Sequence, residues 1–132
     1  MSDISCTNVV GRRKNAVART KVSCGNGRIV INDKSIDEYF NGLERLKKTV
    51  LKSFQIWDGA KKYDFHINVN GGGVSGQAGA AKHSLARAIL KLNSSLKVDL
   101  KKNGVLTRDP RMVERKKPGR PKARKRFQFS KR

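Results

Sequence analysis

From residue 63 to residue 69 the chain alternates without a break, Tyr63, Phe65, Ile67 and Val69 being separated by Asp64, His66 and Asn68. A two-residue period of this kind marks a strand with one face buried and the other in water. Closer to the N-terminus, Val9 and Val10 predict one strand. Over residues 16–23, Val17, Arg19, Lys21 and Ser23 alternate with small or apolar residues and predict another. Gly25, Asn26 and Gly27 tolerate positive φ and lead into the apolar run Ile29, Val30 and Ile31, so this stretch reads as a hairpin.

Helical periods fill most of the remainder. After the turn Asn32, Asp33, Lys34, the pair Ser35 and Glu38 has the spacing of a capping box for a short helix that turns Tyr39 and Phe40 inward. Leu43, Leu46, Val50 and Leu51 recur at helical spacing among Glu44, Arg45, Lys47 and Lys48, which predicts a second helix with one buried face; Asp58 and Gly59 break the chain after it. The glycine-rich run from Gly71 to Gly79 then reads as a loop opening a helix over about residues 78–92. Its face of Ala81, Leu85, Ala88, Ile89 and Leu92 includes alanines that permit close packing on a sheet. Ser94 or Ser95 is placed to cap a last short helix through Leu96 and Leu100, stopped by Asn103 and Gly104. These elements predict one α/β (α+β) domain over residues 1–107.

Beyond that point the pattern stops. Arg108, Arg111, Arg115, Lys116, Lys117, Arg120, Lys122, Arg124, Lys125, Arg126, Lys131 and Arg132 face only Asp109 and Glu114, a balance of +10. Pro110, Pro118, Gly119 and Pro121 interrupt the segment. With little to bury, residues 108–132 are expected to form an extended basic arm that orders on a partner.

The whole chain, 132 residues with 31 lysines and arginines against 10 acidic residues, carries +21. That length suits one core and an extension, and that charge requires a polyanion. Nucleic acid is preferred to a membrane because no stretch resembles a spanning or lipid-binding helix. The first ten residues lack the features of a secretory or transit peptide, so a cytoplasmic protein is expected. Cys6 and Cys24 have no metal-ligand spacing and are read as buried reduced thiols.

Three segments carry candidate chemistry. The arm is the strongest, since guanidinium forks and ammonium groups neutralise successive phosphates, and Phe127 and Phe129 offer faces for bases or a protein pocket. Arg12, Arg13 and Lys14, continuing to Arg19 and Lys21 along a strand, form a second basic site held on a rigid element. The glycine run, with Gly72, Gly73 and Gln77, lies between a strand and a helix, where backbone N–H groups cradle a phosphate; it lacks the GxxxxGK[ST] pattern of a nucleotide site. His66 and His83 have no nucleophile at a catalytic spacing and are read as surface or RNA-contacting residues, so neither an enzyme nor a cofactor nor a metal is expected. Asp109 and Glu114 are read as ion-pair partners that shape the arm.

Taken in order, Gly11 to Arg19 (GRRKNAVAR), Gly71 to Gln77 (GGGVSGQ), Leu106 to Asp109 (LTRD), Glu114 to Lys117 (ERKK) and the terminal Gln128 to Arg132 (QFSKR) resemble the universal small-subunit ribosomal proteins numbered nine, essentially from end to end. The resemblance implies a two-layer sandwich of the ribosomal S-five domain-two-like type, with helices on one face of a mainly antiparallel sheet. It further implies a body bound to the 3′ major domain of small-subunit rRNA, beside neighbouring proteins of the subunit head. The arm would reach the peptidyl-tRNA site, with Ser130, Lys131 and Arg132 approaching tRNA and Arg120, Lys122, Arg124, Lys125 and Arg126 lying along rRNA. Small-molecule kinases and the protein subunit of a tRNA-processing ribonuclease share this architecture, but the missing ATP motif and the matching tail separate the chain from both.

Overall fold

The computed structural model describes residues 7–129. Five strands, β1 (Thr7–Arg13), β2 (Ala16–Cys24), β3 (Ile29–Ile31), β4 (Lys34–Ser35) and β5 (Tyr63–Asn70), form one sheet in the order β1-β2-β5-β3-β4. All pairings are antiparallel except that of β3 with β5, so the sheet is mixed and mainly antiparallel. With helices α1 (Ile36–Phe40), α2 (Glu44–Phe54), α3 (Val74–Leu92) and α4 (Lys97–Lys102), the fold is α+β. Short 3₁₀ turns occupy Asp58–Lys62 and Ser94–Leu96.

The alternation read from the sequence sorts the two faces of the sheet. Ala16, Ala18, Thr20 and Val22 of β2 and Phe65, Ile67 and Val69 of β5 are buried, while Arg19, Lys21, His66, Asn68 and Asn70 are exposed. The expected hairpin of residues 16–31 does not form, because β5 lies between β2 and β3. β5 is long enough to pair along all of its length with β2, and its other edge takes β3. The intervening turn is held open on the Asp64 carboxylate, which accepts from the backbone N–H of Asn26 and of Arg28, both at 3.0 Å. These bonds hold the Asp64 carboxyl below its ordinary pKa, the one from Arg28 contributing most.

Helix α3 starts at Val74 rather than near residue 78, so Gly76 and Gly79 are helical. At Gly79 the lack of a side chain lets α3 lie close to Arg13 at the end of β1, since a Cβ there would fall 2.1 Å from Cδ of Arg13, whereas a Cβ on Gly76 would make only ordinary contacts. The same helix closes the outer edge of β1, where unpaired backbone groups would otherwise face solvent. Ser84 Oγ donates to the Val9 carbonyl at 3.3 Å, Arg87 Nη1 donates to the Val10 carbonyl, and the Arg12 N–H donates to Nδ1 of His83 at 3.4 Å. Beneath them, Thr20 and Ser84 share a buried hydroxyl contact of 2.5 Å.

Ser35 caps α1, accepting from the Glu38 N–H at 3.3 Å, and Phe40 is buried with Tyr39 edge-on to it. Three local expectations need correction. Leu43 is exposed, because α2 begins after it and buries Leu46 and Val50 instead. The cap after α3 is Asn93, whose Oδ1 accepts from the Ser95 N–H at 3.2 Å; neither Ser94 nor Ser95 fills that place. Cys24 is exposed at the end of β2, although the alternation puts it on the same side as the buried Val22; Cys6 lies outside the described residues.

Candidate RNA interface

The open face of the sheet is a platform built by register. Val10 pairs with Arg19 and Arg19 with Asn68; Asn8 pairs with Lys21 and Lys21 with His66; Arg12 pairs with Val17 and Val17 with Asn70. Arg12, Arg19 and Lys21 therefore stand within three adjacent rows among the amides Asn8, Asn68 and Asn70, all six exposed. Asp64 shares this face but spends its carboxylate on the turn beside it. Cations flanked by neutral donors and acceptors, on strands that fix their spacing, are equipped to grip phosphates and to touch sugars or base edges. The three asparagines were not singled out in the sequence. Their alternation within each strand was visible, but their gathering beside Arg19 and Lys21 depends on strand pairing.

A second cationic surface begins where the chain leaves Val105, which is buried. Asp109 accepts from Arg111 through the backbone N–H at 3.0 Å and through Nη2 at 2.7 Å, and its Oδ2 lies 3.7 Å from Nη2 of Arg13. The Arg111 side-chain bonds, followed by its backbone bond, hold the Asp109 carboxyl far below the usual carboxylate range. Glu114 pairs with Nζ of Lys117 at 2.5 Å and with Nε of Arg124 at 3.0 Å, folding the arm back over ten residues. Both acids therefore shape the arm, as their surroundings in the sequence suggested. Arg13, Lys14, Arg111, Met112 and Val113 line a hollow between the β1–β2 turn and the arm.

The candidate residues divide by availability. Arg12, Lys14, Arg19, Lys21, Gly72, Gly73, Arg108, Arg111, Arg115, Lys116, Lys122, Arg124, Lys125 and Arg126 are exposed, as are Phe127 and Phe129, at 70% and 87%. Arg13, Gln77, Lys117 and Arg120 are partly buried. Gln77 uses both ends of its amide within the protein, donating to the Gly71 carbonyl at 3.2 Å and accepting from the Tyr39 hydroxyl. Gly71 and Gly72 take left-handed φ of +78° and +66° and press on the β1–β2 turn, a Cβ on Gly71 falling 2.6 Å from the Asn15 carbonyl oxygen. Ser130, Lys131 and Arg132 lie outside the described residues.

His83 is a brace. Its Nδ1 accepts from the Arg12 N–H, which leaves the proton on Nε2, 3.1 Å from the Leu106 carbonyl. Burial pushes the imidazole below its ordinary pKa, Arg87, Arg108 and Lys82 add to that, and the bond to Leu106 opposes it. Both ring nitrogens are thereby engaged with the protein, in place of the RNA contact considered from the sequence. Among the described residues, no group of three or more histidines, cysteines or acids is placed to hold a metal, and no helix is long and apolar enough to cross a membrane.

Residues 11–132 match the family model described as ribosomal protein S9/S16. Among curated proteins, the chain is 54% identical over 127 residues to small ribosomal subunit protein uS9 of Porphyromonas gingivalis, covering 95% of this chain and 97% of that one. It is 52% identical over 129 residues to the protein of the same name from Anaeromyxobacter sp. strain K, covering 98% of each. It is 51% identical over 134 residues to that of Borrelia hermsii, covering 99% of this chain and 98% of the relative.

Proposed function

The chain belongs to the ribosomal protein S9/S16 family, and from that premise we propose that it holds small-subunit rRNA with two cationic surfaces and touches peptidyl-site tRNA with the end of its arm. Its coarse role follows from membership: it is a structural constituent of the small ribosomal subunit and not an enzyme. The observation that carries the finer reading is the pairing of a rigid cationic sheet face with an arm of charge +10 on one chain.

In this reading the body, residues 1–107, docks Arg12, Arg19 and Lys21 on rRNA of the 3′ major domain in the subunit head. Arg13 and Lys14 extend that contact toward the root of the arm. Gly72 and Gly73 bring backbone close to a phosphate, while Gln77 acts by holding their loop. The arm, residues 108–132, follows a groove through Arg108, Arg111, Arg115, Lys116, Lys117, Arg120, Lys122, Arg124, Lys125 and Arg126, and delivers Ser130, Lys131 and Arg132 to the tRNA. Charge-assisted phosphate contacts read no sequence, which suits a site that must accept every tRNA. Family membership also supports an S-five domain-two-like sandwich, a cytoplasmic ribosome as the working place, and head proteins as neighbours.

The test is co-sedimentation of the tagged chain with ribosomal subunits from its own cells at rising salt, beside a chain lacking residues 130–132. Both are expected on the small subunit, with tRNA retained less well by the shortened one. Recovery of the full chain only in free or DNA-bound fractions would refute the rRNA contact. Undiminished tRNA retention would refute the role of the last three residues.

A further inference from the structure

Four of the ten acidic residues, Asp33, Asp37, Glu38 and Glu44, fall within residues 32–44, where Lys34 is the only cation. In a chain of +21 this stretch carries −3, or −2 once Lys47, which pairs with Asp37, is counted, and all four acids are exposed. Phosphate is disfavoured at such a surface relative to the sheet face and the arm.

The same corner holds a hollow of about 230 Å³ between α1 and the start of α2, floored by Ile36 and Phe40 and rimmed by Leu43, Asp37, Glu44 and Lys47, whose Nζ pairs with the Asp37 carboxylate. Leu43 is 53% exposed, yet the backbone fixes it firmly. Asn41 and Gly42 both adopt left-handed φ, +45° and +82°, the Leu43 N–H donates to the Phe40 carbonyl at 3.0 Å, and the Glu44 N–H donates to the Gly42 carbonyl at 3.0 Å. Leu43 also occupies the N-cap of α2 and makes no side-chain cap bond there. Serine, threonine, aspartate or asparagine at that position would satisfy a free helical N–H, and leucine is among the poorest residues for it. The sequence thus gives up local helix stability to present an apolar side chain beside a hollow whose rim carries Asp37, paired with Lys47, and the exposed Glu44.

We propose that this corner is a protein-docking surface, and that its occupant is a basic segment of a neighbouring protein of the ribonucleoprotein, one large apolar side chain entering the hollow between lysines or arginines. Charge complementarity selects the class of partner: the apolar floor rewards a buried side chain, and the rim rewards cations on either side of it. The corner faces protein as the sheet face and arm face RNA. This assignment rests on the ribosomal reading of the chain.

The experiment places a photoreactive benzoylphenylalanine at residue 43 of the full chain, in its own cells, and maps the adducts in purified small subunits by mass spectrometry. The expected adduct is a peptide of another subunit protein with lysine or arginine within a few residues of the cross-link. In the same chain, Glu38→Lys with Glu44→Lys is expected to lower that adduct at least fivefold while leaving the chain in the subunit. Adducts to RNA, to the chain's own arm or to a second copy would overturn the proposal, as would the absence of any adduct or a yield indifferent to the two reversals. Failure of the chain to enter subunits at all would instead show that the ribosomal reading, on which the proposal stands, is at fault.

Discussion

A single side chain can join elements distant in the sequence, and His83 does so through a particular tautomer. With Nδ1 accepting from Arg12 and Nε2 donating to Leu106, the neutral ring ties β1 and the root of the arm to α3. Protonation would destroy the acceptor and add charge near Arg87, Arg108 and Lys82. Because the folded pKa lies below the ordinary value, stability is full above a pH of about 6.5, where the ring is neutral in both states. It falls as pH drops below that, since the unfolded chain takes up the proton first. Urea midpoints measured from pH 7.5 to 5.5 are expected to fall in the parent and to stay nearly level in His83→Gln, whose amide can accept from Arg12 and donate to Leu106. An equal fall in both chains would assign the pH dependence to other groups.

Between elements, the decisive contact is the close approach of β1 to α3. A Cβ at Gly11 would lie 2.3 Å from the backbone N of Ser84 and 2.5 Å from the Ala80 carbonyl oxygen, and neither atom can yield without moving the helix. Gly11→Ala is therefore expected to destabilise the fold by about 1–3 kcal/mol, the usual cost of overpacking, read as a lowered urea midpoint. An unchanged midpoint would mean that helix and strand are not locked. This contact also marks what was legible in advance. The alternation of Tyr63 to Val69 and the cap at Ser35 are local patterns; the first appears as read, and of the capping box the Ser35 half forms, its Oγ accepting from the Glu38 N–H. Helix α3 starts earlier than its pattern suggests because glycines at 76 and 79 weaken a helix on local grounds, and the close neighbour that calls for glycine at 79, Arg13, lies more than sixty residues earlier in the chain. The hairpin failed for a similar reason: β5, more than thirty residues further on, takes the place between β2 and β3. Of the candidate interface, Arg19 and Lys21 were evident from their strand, whereas the asparagines beside them and the bracing roles of Gln77 and His83 depend on contacts between distant segments.

At the scale of the whole molecule, the two cationic surfaces differ in what they cost to use. The sheet face is held by register before any RNA arrives, so its contacts lose little conformational freedom on binding. Residues from Thr107 to Phe129 contain no helix or strand, and their self-contacts are exposed ion pairs such as Glu114 with Lys117 and Arg124, which contribute ~0–1 kcal/mol each. The arm must therefore give up chain entropy as it orders, offsetting part of its electrostatic gain. Affinity for a small-subunit rRNA fragment, measured against salt, separates these terms because each neutralised phosphate adds about 0.7–0.9 to the slope of log K on log salt concentration. Arg19→Ala with Lys21→Ala is expected to flatten the slope by about 1.4–1.8 on that basis. Removal of residues 108–132 takes away twelve of the 31 cations and is expected to flatten it by ~5 or more. With electrostatics screened at high salt, the armless chain should approach the full chain in affinity, whereas the sheet-face variant should remain weaker through lost, preorganised hydrogen bonds. If the armless chain instead kept the full slope, the arm would not be neutralising phosphates in that complex, and the sheet face would have to carry the charge-driven binding alone.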